Sequence, residues 1–257
     1  MNISAVVITF NEERNIERCI LSLRDVCEEI LVADSLSTDK TKEICLNYGV
    51  KFLEHPFEGY VKQKNWALNQ AKYDWILSLD ADEALSEELK NSILKVKTLD
   101  NLSDSYMFNR LTNYCNLRWI KHSGWYPDRK VRLFRKDSGK WEGISLHEKF
   151  QIKEGKKLEW LKGDLLHYTC NTLAEHIEQV NKFSTIASEE LFLKGKKVGI
   201  VSIYIKSSWK FIRDYFFNMG FLDGMQGYWI CKIGAFSTFL KYSKLKEKNK
   251  KKEKKIG

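Results

Sequence analysis

Residues 3–10 form a short apolar run rich in β-branched side chains, the pattern of a buried strand. Residues 13–24 switch period. Ile16, Ile20 and Leu23 fall on one helical face with charge opposite. The alternation continues with a strand at 29–33, a helix at 39–48 opened by Ser37, Thr38 and Asp39, a strand at 50–54 and a helix at 64–71. A fourth strand at 75–79 runs into Asp80-Ala81-Asp82-Glu83, and Ser86 opens a helix reaching about Lys97. Strand and helix alternating at this rhythm predict βαβ units and a mostly parallel sheet. After Asp104 the strands at 105–114, 130–135 and 158–161 are more polar and separated by glycine-bearing turns, which predicts an α+β continuation of the same sheet. A long helix at 172–193 follows, capped by Thr172 and stopped by Gly195. From Ile200 an aromatic amphipathic segment leads into a lysine-rich end. The expected division is one domain over 1–195 (halves 1–100 and 101–195), a helical segment over 196–240 and a disordered tail over 241–257.

The charge sharpens that division. The 257 residues carry a net +9, and residues 241–257 hold nine lysines against Glu247 and Glu253. The tail therefore owns +7, and the first 240 residues are nearly neutral, which argues against nucleic acid as a partner. The six cysteines show no C-x-x-C spacing and are expected to be free thiols in a reducing cytosol. No signal peptide is expected at the N-terminus. Lys206, Lys210, Arg213, Asp214, Asp223 and Lys232 interrupt the aromatic stretch, so a lipid-interface role suits it better than a span.

An absence narrows the chemistry. The first glycine is Gly49, so the turn after the first strand has neither a dinucleotide fingerprint nor a P-loop, and no G-x-S-x-G elbow occurs. Ligands of open α/β sheets bind at the carboxyl ends of strands. Thr9 and Asn11, Asp34 and Ser35, and Asp80 and Asp82 lie at three such ends. Each cluster alone suits a helix cap, and three along one edge suit a site. In extended chain, Asp80 and Asp82 share a face, where two carboxylates repel unless a cation joins them. A hard divalent ion on a diphosphate suits that arrangement.

The residues V-V-I-T-F-N-E-E (6–13), V-A-D-S-L-S-T-D-K-T (32–41), Gln63 to Asn65 and L-D-A-D-E (79–83) resemble the nucleotide-binding half of a family 2 glycosyltransferase of GT-A fold. G-W-Y-P-D-R (124–129), R-L-F-R (132–135), W-E-G (141–143), L-H-E (146–148), L-H-Y (166–168) and G-F-L-D-G (220–224) are similar to the lipopolysaccharide core β-1,4-glucosyltransferases of that family. Leu36 departs from the pattern, which has glycine there. The resemblance implies an α/β GT-A fold with a C-terminal helical extension and an inverting transfer of a sugar, glucose in the family, from a UDP-sugar to a glycolipid. Thr9, Asn11, Glu13, Asp34, Gln63 and Asp80 would bind the nucleotide. Asp82, with His167, would hold Mg²⁺ or Mn²⁺, His147 being a weaker ligand. Glu148 would be the base, with Glu142 and Asp128 as rivals. Arg129, Arg132 and Arg135 would meet phosphate on donor or acceptor. The implied location is peripheral, on the cytoplasmic face of the inner membrane, with an anionic membrane surface as a partner and self-association left open. The alternatives are transfer to a polyprenyl phosphate or an O-antigen or capsule intermediate and, in another class, a non-catalytic membrane- or nucleic-acid-binding module.

Overall fold

The computed structural model describes residues 1–143 and 148–256. The chain forms two compact units, residues 1–111 with 127–168 and residues 112–126 with 169–257.

In the first unit, β1 (Ile3–Thr9), β2 (Glu29–Asp34), β3 (Lys51–Glu54) and β4 (Trp75–Asp80) are parallel neighbours in the order β3-β2-β1-β4. Every residue of β1 is buried, as expected of a strand covered on both faces. Ile3, Ala5 and Val7 face one core with Ile16, Ile20 and Leu23 of α1 (Ile16–Leu23). Val6 and Ile8 face a second core with Ala67 and Leu68 of α3 (Tyr60–Gln70). Each such aliphatic side chain, fully buried, contributes roughly 1.5–3 kcal/mol over leaving it exposed. The crossover between β2 and β3 is α2 (Thr41–Asn47).

After β4 the chain departs from the expected course. A three-residue strand, β5 (Glu83–Leu85), precedes α4 (Glu87–Lys97), whose N-cap is Ser86. β6 (Ser105–Tyr114) and β8 (Asp128–Arg135) join the sheet antiparallel, β8 on β4 and β6 on β8. β7 (Arg118–Ile120) pairs with the end of β6. β9 (Gly139–Glu142) and β10 (Lys149–Ile152) form a separate ribbon that packs Trp141 and Phe150 into the second core. The strand expected at 158–161 is β11 (Leu158–Cys170), more than three times as long, and it pairs antiparallel with β5. Gly163 permits that course. Its φ is 102°, and a Cβ there would stand 2.3 Å from the Leu89 backbone nitrogen.

The second unit contains α5 (Leu173–Leu193), α6 (Ile200–Ile212), a π-helical turn (Arg213–Phe217), a 3₁₀ turn (Gly220–Asp223) and α7 (Gly224–Ile256). Both α5 and α6 pack against α7. Thr172 caps α5 by accepting from the Glu175 N–H at 3.1 Å. Two expectations are corrected here. The boundary at 195 fails because α5 belongs with α6 and α7. The 241–257 tail, expected to be disordered, continues α7 through Ile256. Leu245 is buried, and Lys244 donates to the Asn181 carbonyl and the Ser184 hydroxyl, each at 2.8 Å. The lysine run therefore has acceptors on α5 that its composition does not reveal.

Candidate active site

All parts of the site belong to the first unit. Lys64 of α3 is 2% exposed, and its ammonium lies 3.0 Å from Asp80 Oδ1 and 3.3 Å from Glu148 Oε1. It also sits 4.5 Å from the centroid of the Trp141 ring, a cation–π contact. Arg132 of β8 bridges Asp80 Oδ2 at 3.0 Å and the fully buried Glu83 at 2.9 Å. Arg110 stands 3.6 Å from the same Glu83 carboxylate. Burial alone would raise the Asp80 carboxyl, but the Lys64 ammonium and the Arg132 guanidinium outweigh it and hold the group well below the usual carboxylate range. The Tyr60 phenol is pushed up by burial and then by the field of Glu148, Asp80 and Asp82, which places it beside this acidic cluster.

The register of β5 on β11 sets the other half of the site. His167 pairs with Glu83, and the Tyr168 N–H donates to the Asp82 carbonyl at 2.9 Å. That register puts His167 Nε2 3.3 Å from Asp82 Oδ2. Glu12 feels both. Burial pushes its carboxyl up to about 7, with a hydrogen bond from Asn15 opposing and the charges of Asp82 and Asp39 adding to the rise.

The loops after β1 and β2 are stitched together. The Asn11 N–H donates to Ser37 Oγ and the Thr38 N–H to Asn11 Oδ1, both at 2.8 Å. The Lys40 N–H donates to Glu13 at 3.1 Å, and the Ser37 N–H to the buried Asp34 at 2.8 Å. Asn11, Asp34 and Glu13 thus spend acceptor capacity on the loops themselves. Thr9 and Gln63 differ. Thr9 Oγ1 and Gln63 Nε2 are buried without a protein partner, as are Arg132 Nε and Nη1 and Trp141 Nε1. Buried polar atoms are nearly always satisfied, so these suit a polar ligand. Leu36 has a φ of 66°, the left-handed conformation that glycine favours.

The structure gathers Asp80, Arg132, Glu148, Asp82 and His167 and leaves other candidates apart. Arg129 and Arg135 are exposed, Arg135 paired with Asp137, so the arginine trio does not converge. The reason is a bulge in β8. Arg132 is its extra residue, skipped between the Tyr106–Leu133 and Met107–Val131 pairs, so it is set apart from the regular alternation that carries Arg129 and Arg135. Asp128 is engaged by Arg110 and Lys130, and Glu142 is half-exposed beside Lys140. His147 lies outside the described residues.

Lys64, Glu83 and Trp141 stood inside the motifs quoted from the sequence but were given no role there, and Arg110 was not named. Lys64 left a faint signal, a charge sharing a helical face with Ala67 and Leu68. The Gln63-Lys64-Asn65 run does three jobs: Gln63 meets His55 at 2.9 Å, Lys64 holds the two carboxylates, and Asn65 clamps the Trp141 backbone through bonds of 2.9 and 3.1 Å.

Asp82 and His167 offer one oxygen and one nitrogen donor side by side. Among the described residues no group of three His, Cys, Asp or Glu could cage an ion. Two donors nevertheless fit Mg²⁺ or Mn²⁺ bound mainly through substrate phosphate and water.

The profile described as Glycosyl transferase family 2 matches residues 4–154. An "Uncharacterized glycosyltransferase" of Rickettsia bellii is 31% identical over 95% of this chain and 86% of its own length. "Lipopolysaccharide core biosynthesis glycosyltransferase LpsC" of Rhizobium meliloti is 29% identical over 96% of this chain and 93% of its own. A structure of S. aureus TarS 1-349 in complex with UDP-GlcNAc is 16% identical, with a TM-score of 0.47 over 98% of this chain and 92% of that one.

Proposed function

Because the chain belongs to glycosyltransferase family 2, we propose that it transfers a sugar, glucose as the reading to test first, with inversion, from a UDP-sugar to a glycolipid acceptor of the lipopolysaccharide inner core. The observation that carries this is the charged cluster where β4 ends: Asp80 and Glu148 joined by buried Lys64, with Asp82 beside His167. The glycolipid acceptor is suggested by the relative described as acting in lipopolysaccharide core biosynthesis.

In this reading Thr9, Gln63 and Asp80 bind the nucleotide, Thr9 and Gln63 with their unpartnered buried polar atoms. Asp82 and His167 would hold Mg²⁺ or Mn²⁺, which would offset the charge of the leaving diphosphate. Glu148 accepts the proton of the acceptor hydroxyl as that oxygen attacks the anomeric carbon. The new carbon–oxygen bond forms on the face opposite the bond to diphosphate, which breaks. Lys64 fixes Glu148 relative to Asp80, and Arg132 fixes Asp80 from the other side. The reaction belongs at the cytoplasmic face of the inner membrane, with the chain peripheral. Among the described residues no helix is long and apolar enough to cross a membrane.

The test combines purified chain, a panel of nucleotide sugars, Mg²⁺ or Mn²⁺, and a core glycolipid lacking its outer sugars. Mass spectrometry should find one added hexose with UDP-glucose, and nuclear magnetic resonance an anomeric configuration opposite to that of the donor. Transfer to polyprenyl phosphate alone, or retained configuration, would overturn the reading.

A further inference from the structure

Amphipathic helices of soluble domains turn their apolar stripe inward and their charge outward. α6 does the reverse. Ile203 is its one fully buried side chain, while Val201 (65% exposed), Tyr204, Ile205 (63%), Trp209 (54%) and Ile212 face solvent. At 100° per residue these outward positions fall within about half of the helix circumference. The apolar exposure continues past the helix through Phe216, Phe217, Phe221 and Met225. A face of this extent is more than a scatter of single surface hydrophobes.

Its charge is one-sided. From Lys194 to Lys246 the chain has ten lysines and arginines and only two acids, Asp214 and Asp223. Both acids are buried and have internal partners. Asp214 pairs with Lys210 and Arg213. Asp223 accepts from the Lys121 N–H at 3.3 Å, from the His122 N–H at 2.8 Å and from the His122 ring at 3.0 Å. Exposed charge along this stretch is therefore positive. Lys206 and Lys232 also lie over aromatic rings, 4.7 Å from the Tyr242 and Phe211 centroids. Between α6 and α7 a cleft of about 360 Å³ is lined by Phe211, Ile212, Phe236 and Phe239, with Lys232 beside them.

We infer that the outward face of α6 and the 216–225 segment docks on an anionic lipid bilayer, the aromatic side chains entering the headgroup region and the flanking lysines meeting lipid phosphates. Charge complementarity selects this occupant, because an apolar face ringed by positive charge alone repels a second copy of itself. Within the lysine tail, Lys244 and Lys248 are spent on α5, so the inference rests on the face of α6 rather than on the tail. The inference deepens the glycolipid reading above and rests on it only for its purpose.

The test is co-sedimentation of the full chain with vesicles of phosphatidylcholine alone or containing phosphatidylglycerol, at low and high salt, without donor or acceptor. Binding should require phosphatidylglycerol and weaken with salt. Trp209→Glu with Ile205→Glu should reduce it at least about tenfold, with an unchanged melting temperature because both side chains are already in water. Lys206→Glu with Lys232→Glu should weaken binding to the phosphatidylglycerol vesicles. Unchanged binding in the glutamate variants, equal binding to both vesicle types, or a wild-type dimer that those variants dissociate would overturn it. Failed vesicle binding overturns this inference alone, whereas absent sugar transfer overturns the functional reading.

Discussion

The first unit buries charge, and the second exposes apolar surface. Lys64, Glu83 and Arg132 lie within the sheet-and-helix core at 1–3% exposure, while Val201, Ile205 and Phe217 stand at 63–67% exposure. Both arrangements oppose the simplest partition of side chains between oil and water. Buried ions have lost hydration that pairing only partly restores, and replacing such a set by apolar side chains often stabilises a fold. Exposed aliphatic and aromatic side chains forgo roughly 1.5–3 kcal/mol each. The two departures point to different partners. A fixed array of charges suits a small, highly charged ligand whose orientation matters, and a broad apolar face with a basic rim suits an extended, soft, anionic one.

Removing the reactive carboxylates should widen the contrast most. Glu148→Gln should lower kcat by roughly 10²–10⁴ with donor affinity nearly intact, and Asp82→Ala should abolish divalent-ion-dependent transfer. Steady-state kinetics with titrated metal checks both. Wild-type kcat in Glu148→Gln would move the base to another carboxylate, and undiminished turnover of Asp82→Ala in chelator would remove that residue from any metal role.

Breaking the buried array without touching the proposed base comes next. Arg132→Met leaves Asp80 with Lys64 as its cation and Glu83 with Arg110 at 3.6 Å and the Asp80 N–H at 3.0 Å. Removing one member of a buried ionic set typically costs about 3–5 kcal/mol. Urea unfolding should show a loss of that order, and a loss under about 1 kcal/mol would mean the charges are less committed to one another than their distances imply.

The second unit buries a neutral imidazole to set against that array. His176 is 5% exposed and bonds to the Tyr114 hydroxyl at 2.8 Å, and burial lowers its pKa to about 4. The folded value lies below the ordinary 6.5, so the unfolded chain binds more protons between the two. Stability from neutral His176 is complete above pH 6.5 and is lost as pH falls through 4. A shift of this size corresponds to about 3 kcal/mol at most. Thermal unfolding of His176→Gln, followed from pH 7 to 4, should lack that component of the wild-type decline. Parallel profiles would show that His176 is not the titrating group.

The smallest effect belongs to Leu36. A leucine at φ 66° is strained where glycine is not, while glycine leaves the unfolded chain freer. Leu36→Gly should therefore raise stability by no more than about 1 kcal/mol. Destabilisation would mean that its half-exposed side chain holds the loop.

Much of the first unit was legible along the chain. The parallel strands and the helices between them followed from apolar period, and Asp80 and Asp82 announced themselves because two carboxylates at a strand end resist any apolar explanation. Lys64 did not, because a lysine in a helix is ordinarily a solvated one. Arg132 was legible only as one of three arginines, and a bulge in β8 separated it from its neighbours. His167 was named for its type, yet its partner depended on a three-residue strand too short to show any period.

Sequence by itself determined the order of the elements, which face of each is apolar, where carboxylates meet strand ends, and the family. Those properties are local, since 3.6- and 2-residue periods are fixed by backbone geometry within a few residues. Tertiary structure alone decided which of those faces are covered. It turned the apolar side of α6 outward and gave Lys244 acceptors on α5. It set β5 on β11 in the register that joins Asp82 to His167, and enclosed Lys64 between Asp80 and Glu148. These pairings join chain segments from 16 to more than 80 residues apart. Burial and pairing at such separations are settled by the packing of whole elements, which no local period encodes.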